Sequence, residues 1–254
     1  MLKIMVLVYS YIVIQMLFVW ILSRLLKNPS IVDLAWVIIL MISGLMYLGI
    51  QPHHSRLIVI GLLLFLWGIR LTSYLWLTRV SKGMVDKRYS QLEDAWNSAS
   101  AMRHLFNCQL QGIFIFVISS VFFFASYETT NTFSRWDYAA CVLVVISILG
   151  EALADMQLHH FKKHNPGKVC NIGFWYHSRH PNYFFEWLIW CGFALFGLQN
   201  PDGWMGFLSP ILLYIIMTEI TGPVTERGSA ESRGQLYLSY QETTAMFFPW
   251  FKKV

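Results

Sequence analysis

The feature that most constrains this chain is a series of long apolar segments, which begins near residue 4 and recurs beyond residue 200. A helix needs about 20 mostly apolar residues to cross the hydrocarbon core of a bilayer. Hydrophobic residues make up 56% of the 254 residues and charged residues only 13%, unlike the composition of a soluble domain. The sequence therefore predicts an all-α polytopic membrane protein, a bundle of seven transmembrane helices. The predicted spans are 4–23, 31–50, 57–78, 107–126, 136–160, 183–199 and 205–221.

Lysine and arginine are distributed unequally among the connections between these spans. Fifteen basic residues fall on one side of the membrane, and three, Lys3, Arg56 and Arg135, fall on the other side. Because basic residues are enriched in cytosolic loops, this asymmetry predicts an N-terminus outside and a C-terminus in the cytosol. The basic residues lie beside spans rather than in one stripe, which argues against a nucleic-acid partner.

The four cysteines carry no sign of a metal or redox site. Cys108, Cys141, Cys170 and Cys191 lack the paired spacing of such sites, so we interpret them as packing residues and expect no metal.

The densest group of reactive side chains is Ser178-Arg179-His180-Pro181-Asn182-Tyr183-Phe184-Phe185-Glu186. Proline fits the first turn of a helix, so a helix is predicted to begin at Pro181. Asn182 and Glu186 then share one face, and a carboxylate at the mouth of a membrane helix is a functional hypothesis by default. Arg179 and His180 beside a helix N-terminus can bind an anion. The alternative is a basic pair that only maintains topology.

A second group of polar residues lies on one face of the fifth predicted span. Glu151, Asp155, His159 and Lys162 recur at helical spacing. The acids can bind ribose hydroxyls and the lysine can bind phosphate. The alternative is a helix end that emerges into water, but Asp155 lies deeper than a solvated residue should.

Further candidates are spread along the chain. Asn107 and Gln111 share a face at the start of the fourth span, where they can bind a cofactor amide or join two helices. Arg233 and Tyr240 can close over a ligand. We expect Trp175 to lie in the aromatic belt at the membrane surface.

Several of these motifs resemble the C-terminal domain of the steroid 5α-reductases and, above all, their bacterial membrane relatives. The resemblance is specific over 140–254 and looser in the N-terminal half. It rests on Ala154-Asp155-Met156-Gln157, Pro166-Gly167, Gly173-Phe174-Trp175, the Ser178 to Glu186 stretch, Ser232-Arg233-Gly234, Tyr237, Tyr240-Gln241 and Phe248-Pro249-Trp250. The looser similarity covers Asn28 to Trp36, Arg70 to Tyr74, Asp86 to Tyr89 and Asn107 to Gly112.

The resemblance implies a seven-helix bundle that holds NADPH in a cytosol-facing cavity and reduces a conjugated carbon–carbon double bond. The hydrophobic, steroid-like substrate would enter from the lipid of a bacterial inner membrane. We interpret 1–254 as a single membrane domain, with the substrate side in 1–126 and the cofactor-binding part in 136–254. The resemblance implies that Glu151, Asp155, Lys162, Asn182 and Glu186 bind the cofactor and that Tyr74 lies beside it. Together with the polar groups described above, the expected cofactor-binding residues are Glu151, Asp155, Lys162, Arg179, His180, Asn182, Tyr183, Glu186, Arg233, Tyr240, Asn107 and Gln111.

The catalytic residues transfer less completely. Trp67 stands where the reductases have their catalytic tyrosine, so the candidate proton donors are Glu186, Tyr74 and Asp33. Glu226-Arg227 replaces the histidine cluster of their tail.

Two alternatives to the reductase function stay open. One is an S-adenosylmethionine-dependent methyltransferase similar to the isoprenylcysteine carboxyl methyltransferases, against which the basic groups Lys162, Arg179 and Arg233 favour a phosphate-bearing ligand. The other is a non-enzymatic lipid-binding or scaffolding protein.

Overall fold

The computed structural model describes residues 2–26, 28, 31–49, 55–78, 80–82, 98–126 and 132–252. Over these residues the fold is entirely helical. The α-helices are α1 Leu2–Leu25, α2 Ile31–Gly49, α3 Ser55–Thr78, α4 Ser98–Ser126, α5 Arg135–His164, α6 Phe174–His177, α7 Pro181–Leu195, α8 Leu208–Ile215, α9 Gly222–Arg233 and α10 Gln235–Thr243. Three 3-10 turns (Val80–Lys82, Phe196–Gln199 and Gly203–Phe207) and a π-helix (Ile216–Thr221) complete the described segments. The Asp86 to Tyr89 part of the resemblance lies outside the described residues.

Within the described ranges, six helical segments are long and apolar enough to cross a membrane, which identifies the chain as an integral membrane protein. They are Leu2–Leu25, Ile31–Gly49, Ser55–Thr78, Ala101–Ser126, Arg135–His164 and Gly203–Arg233. The predicted span 183–199 is not among them. Its α-helix, α7, has 15 residues and then tightens into the 3-10 turn Phe196–Gln199.

The last predicted span, 205–221, differs from the observed helix in shape and length. It begins as a 3-10 turn, continues through α8 and the π-helix, and runs on through α9 to Arg233. Pro223 lies in the first turn of α9, and it has no N–H to donate to a carbonyl of the preceding turn. The wider π-helix, Ile216–Thr221, occupies that preceding turn. The apolar pattern ends near 221 while the helix continues with polar residues, so hydropathy alone missed α9.

The described chain divides into two compact units, one of 1–137 with 193–209 and one of 138–192 with 210–254. In the first unit, α2 packs against α3 and α4, and α1 packs against α4 and α2. Glycine permits these close approaches: a Cβ added at Gly44 would lie 2.6 Å from Leu64 and 2.7 Å from Phe122. Small residues at helix contacts are typical of membrane bundles. Trp67 is fully buried in this core.

A buried ion pair closes one end of the first unit. The Nε of Arg56, in the first turn of α3, donates to Asp137 Oδ1 at 2.8 Å, and both side chains are fully buried. The guanidinium also donates to the carbonyls of Ala125 (2.7 Å) and Phe196. Arg56 was predicted to lie in the short connection before the third span, and this is wrong because it lies in the first turn of α3. It bonds helix-end carbonyls that would otherwise lack a donor.

The second unit contains α5 from Tyr138 onward, α6, α7 up to Gly192, α8 from Pro210 onward, α9, α10 and the C-terminal segment. Helices α5 and α7 touch closely, because a Cβ added at Gly150 would lie 2.5 Å from the ring of Phe185. The aromatic rings of Phe184, Trp187, Tyr214, Phe247 and Phe248 form one edge-to-face cluster that holds the C-terminal segment against α7 and α8.

Candidate functional site

A buried polar cluster lies between α5 and α7 in the second unit. Glu151 and Asp155 occupy successive turns of α5, and each is only 4% exposed. Asn182, in the first turn of α7, donates from Nδ2 to Asp155 Oδ1 at 3.3 Å. The structure thus brings Asp155 and Asn182 together across two helices, 27 residues apart in sequence. Carboxylates and an amide in this arrangement can bind hydroxyl or amide groups of a ligand.

The remaining polar atoms of the α7 face are placed differently. Glu186 is 6% exposed, and its Oε1 accepts a 2.9 Å hydrogen bond from the indole N–H of Trp190, one turn further along. The Oδ1 of Asn182 is buried and has no hydrogen-bond partner among the described residues. A buried amide oxygen that accepts no hydrogen bond lowers the stability of the fold. A donor on a ligand or a water molecule would therefore bind favourably at Asn182 Oδ1.

The segment before α7 is attached firmly to α5. The Gln157 side chain accepts a hydrogen bond from the N–H of Phe174 at 3.0 Å. Gly173 has φ +57°, and a Cβ there would lie 2.6 Å from Gln157 Oε1, so the close approach requires glycine. The expected place of Trp175 at the membrane surface is wrong. Trp175 is buried, and its indole N–H donates to the carbonyl of Ala154 at 2.9 Å.

Arg179 is engaged by residues of the second unit itself. Its Nε and Nη2 donate to Glu226 at 2.6 and 3.1 Å, while Nη1 donates to the carbonyls of Gln241 and Thr244, each at 2.8 Å. This bidentate geometry is the strongest form of an arginine–carboxylate pair. The anion beside Arg179 is therefore a carboxylate of α9, a partner that the sequence prediction did not identify.

Glu226 collects two further contacts. His180 Nε2 lies 3.0 Å from its Oε1, and Gln241 Nε2 donates to its Oε2 at 2.7 Å. The His180 ring also stacks on Tyr183, with centroids 4.9 Å apart. We name Arg179, His180, Glu226 and Gln241 the tail clamp, because they join the start of α7 to α9 and α10.

Backbone contacts extend the tail clamp. The N–H groups of Arg179 and His180 donate to the carbonyls of Ala245 and Met246 at 2.8 and 3.2 Å. Ser178 Oγ donates to the carbonyl of Phe247 at 2.9 Å. Tyr240 donates its hydroxyl to the carbonyls of Trp175 and Ser178, and burial raises the pKa of Tyr240, so the phenol keeps its proton. Tyr240 thus holds the fold in this structure.

The other predicted site residues are scattered. Lys162 is exposed near the end of α5, and Arg233 is half-buried at the end of α9, with an Nε that has no hydrogen-bond partner in the described part of the chain. Asp33, Tyr74, Asn107 and Gln111 belong to the first unit, and all four are half-buried. Gln111 Nε2 donates to Asn107 Oδ1 at 3.1 Å, which confirms that this pair shares a face.

Glu226 and Gln241 were not among the predicted site residues. Glu226 is only 7% exposed although it lies in a polar helix. The signal in the sequence was limited to two acids, Glu226 and Glu231, in a segment rich in small and polar residues. Arg179 and Glu226 are 47 residues apart in the sequence, and this separation conceals the pairing.

The fold and the site together define a helical integral membrane protein with a buried acid–amide cluster. A family model described as a protein of unknown function (DUF1295) matches residues 19–244, and the chain belongs to this family. An uncharacterized protein of Schizosaccharomyces pombe is 27% identical over 261 residues, in an alignment that covers 91% of this chain and 75% of the yeast protein. No solved structure matches the chain significantly.

Proposed function

We propose that this protein is a membrane-embedded, NADPH-dependent reductase that acts on a carbon–carbon double bond conjugated to a carbonyl in a hydrophobic lipid or steroid-like substrate. The observation that carries the proposal is the buried cluster of Glu151, Asp155 and Asn182. Ionisable groups inside a membrane bundle are costly and mark functional sites. The steroid 5α-reductase likeness of these motifs gives the chemistry, and the DUF1295 family includes steroid 5α-reductase-like proteins.

In this proposal the acids and the amide bind the cofactor, and the basic residues bind its phosphates. The carboxylates of Asp155 and Glu151 accept hydrogen bonds from the ribose hydroxyls or the carboxamide N–H groups. The amide of Asn182 can both donate to and accept from these cofactor groups. Lys162 and Arg233 supply positive charge for the phosphates. Arg179 and His180 are already bonded to Glu226, so their role is to hold the tail, which differs from the direct phosphate contact expected from sequence.

The chemistry divides between cofactor and protein. NADPH, when bound, would provide the hydride chemistry at the β-carbon, and a donor on the protein would supply the proton that completes the reduction. Hydrogen-bond donors near the carbonyl oxygen stabilise the enolate charge that develops. The candidate donors are Tyr74, Asp33 and Glu186. Trp67 does not replace a catalytic tyrosine, because an indole N–H donates a hydrogen bond but does not transfer its proton.

The proposal includes a topology. Helix α7 and the 3-10 turn after it, together 181–199, form a seventh span. The N-terminus lies outside and the C-terminus in the cytosol of a bacterial inner membrane, where the cofactor cavity opens. This orientation places Lys162, Arg179 and Arg233 on the side where soluble NADPH is found.

One observation favours a second function, an S-adenosylmethionine-dependent methyltransferase of the isoprenylcysteine carboxyl methyltransferase type. The preference for a phosphate-bearing ligand rested on three basic groups, and Glu226 neutralises one of them, Arg179. Fewer available cations suit a cationic cofactor better than they suit a pyrophosphate. The two functions make opposite predictions about which cofactor binds.

Ligand-dependent stability separates them. A ligand that binds only the native state raises the melting temperature. We expect NADPH to stabilise the detergent-purified protein and S-adenosylmethionine to have no effect. Stabilisation by S-adenosylmethionine alone would reverse the assignment.

A matched pair of variants locates the site. Asp155→Asn removes one negative charge and keeps an oxygen that can accept from Asn182, whereas Glu231→Gln removes one negative charge from an exposed position of α9. We expect NADPH affinity to fall at least about tenfold in Asp155→Asn, or about 1.4 kcal/mol, and to be unchanged in Glu231→Gln. Equal affinities in the two variants would place the cofactor elsewhere. Oxidation of NADPH at 340 nm with a conjugated enone then tests the reaction.

A further inference from the structure

A groove of about 640 Å³ lies in the second unit, and its described lining does not include Glu151, Asp155 or Asn182 of the acid–amide cluster. Part of its lining comes from the end of α5 and the turn that follows, and part from α10 and the C-terminal segment. Its polar side chains are Asn165, Lys168, Asn171, Ser239, Thr243 and Lys252. The volume is within the range of small-ligand sites, which is about 300–1,000 Å³.

The charge of this groove is positive. Lys168 and Lys252 contribute two ammonium groups, and no described residue that lines the groove carries a carboxylate. Neutral donors come from the Asn171 amide, the Ser239 hydroxyl and the second amide hydrogen of Asn165, whose first bonds the carbonyl of Phe161 at 3.4 Å. The Thr243 hydroxyl already donates to the carbonyl of Ser239 at 3.1 Å. This combination of ammonium groups with neutral donors suits a phosphate group.

Both lysines are held near the groove by local structure. The N–H of Lys168 donates to the carbonyl of Asn165 at 3.2 Å, in a turn made possible by Gly167 with φ +78°. The ammonium of Lys252 lies over the ring of Tyr176, 4.4 Å from its centroid. Neither lysine depends on a carboxylate in these contacts, so each keeps its charge available.

The rim of the groove is apolar and exposed. Leu236, which lines the groove, is 62% exposed, and Phe251, next to Lys252, is 78% exposed. Ile172, next to Asn171 in the sequence, is 51% exposed. The groove also lies where a membrane helix ends. Exposed aromatic and aliphatic side chains beside cations at such a place are typical of the lipid headgroup region.

We propose that the Lys168–Lys252 groove binds the phosphate group of an anionic ligand, with an anionic phospholipid headgroup as the source that its apolar rim favours. The lysines and neutral donors bind the phosphate, and the rim contacts the acyl chains. This site differs from the proposed cofactor site. Its lining shares Tyr240 with the predicted cofactor-binding residues, but the Tyr240 hydroxyl donates to the carbonyls of Trp175 and Ser178.

The test uses the full chain, purified in detergent and stripped of lipid. Dioctanoyl phosphatidylglycerol, dioctanoyl phosphatidylcholine and inorganic pyrophosphate are titrated while the melting temperature is followed. The variants are Lys168→Ala, Lys252→Ala and the double variant. Lys163→Ala is the matched control, because it removes an exposed lysine from the last turn of α5 that does not line the groove.

We expect phosphatidylglycerol to bind more tightly than phosphatidylcholine, and its affinity to fall about fivefold for each groove lysine removed, or about 25-fold for both. Lys163→Ala should bind as the unchanged chain does. Lysine-dependent binding of pyrophosphate as strong as that of phosphatidylglycerol would keep the phosphate site and make its source soluble. Phosphatidylglycerol affinity that the double variant retains overturns the proposal.

An NADPH titration of the same variants separates this site from the cofactor site. We expect the double lysine variant to bind NADPH with unchanged affinity. If the double lysine variant loses as much affinity for NADPH as for phosphatidylglycerol, the groove is part of the cofactor site and the lipid site is disproved. Failure of NADPH to bind the unchanged chain would contradict the reductase proposal and leave the lipid result standing.

Discussion

Among the residues that the structure describes, each unit of this protein contains an arginine–carboxylate pair with little or no exposure, and these two pairs differ in their surroundings. In the first unit, Arg56 and Asp137 are both completely buried. In the second unit, the Arg179 and Glu226 side chains are 12% and 9% exposed, and Glu226 is shared with His180 and Gln241. The partners of Arg56 other than Asp137 are backbone carbonyls.

The difference separates a permanent contact from an adjustable one. Removing either member of the Arg56 pair leaves a buried charge that no water can reach, which is the costly case for an ion pair. The Arg179 pair lies near the surface and has a histidine and an amide among its partners, so it can reorganise at lower cost. The proposed cofactor and phosphate sites both lie in the unit with the adjustable pair.

The largest effect is expected at the fully buried pair. Asp137→Ala leaves Arg56 without a counter-charge, and we expect it to lower the free energy of unfolding by about 3–5 kcal/mol. Because an apolar pair avoids the unpaired charge, Arg56→Met combined with Asp137→Leu should recover much of this loss. Unfolding titrations with dodecyl sulfate measure both. A loss below about 1 kcal/mol in the single variant would mean that water reaches Arg56.

A smaller effect is expected at the tail clamp. Glu226→Gln keeps one acceptor but removes the charge that Arg179 and His180 share, and hydrogen bonds to charged groups contribute about 1.5–3 kcal/mol. We expect a loss in this range, together with faster amide hydrogen exchange at 241–250. The exposed Glu231→Gln serves as the control. Unchanged exchange in that segment would show that the aromatic cluster holds the tail without the clamp.

Two serines allow the same substitution in both units. Ser134 caps the start of α5, where its Oγ and N–H lie 2.9 and 2.8 Å from Asp137 Oδ2, and Ser178 Oγ bonds the tail carbonyls. Loss of such a cap costs about 1 kcal/mol. We expect each Ser→Ala variant to lose about that much. Hydrogen exchange should rise at the start of α5 for Ser134→Ala and at 245–247 for Ser178→Ala. Faster exchange at 245–247 in Ser134→Ala, or at the start of α5 in Ser178→Ala, would contradict the roles assigned to these two serines.

The smallest stability effect is expected inside the acid–amide cluster. Asn182→Ala removes one hydrogen bond of 3.3 Å, so we expect a loss of only about 0.5 kcal/mol, at the lower end for a hydrogen bond. NADPH affinity should nevertheless fall several-fold, as measured by the same ligand-dependent melting. A large loss of stability with unchanged NADPH affinity would make Asn182 a structural residue.

Part of the site followed from local pattern. The start of α7 at Pro181 is confirmed, because the fixed φ of proline suits the first turn of a helix. The burial of Asp155 also agrees with its depth along α5. Trp175 was misplaced, since its position depends on the carbonyl of Ala154, which hydropathy does not describe.

The sequence by itself determined that this chain is helical and lies in a membrane, because apolar runs of bilayer length leave the backbone no other way to satisfy its hydrogen bonds. It also determined which segments carry acids, amides and cations. Only the tertiary structure decided how those charges pair. Arg56 lies 81 residues from Asp137 and Arg179 lies 47 residues from Glu226, and contacts at such separations depend on how the helices pack.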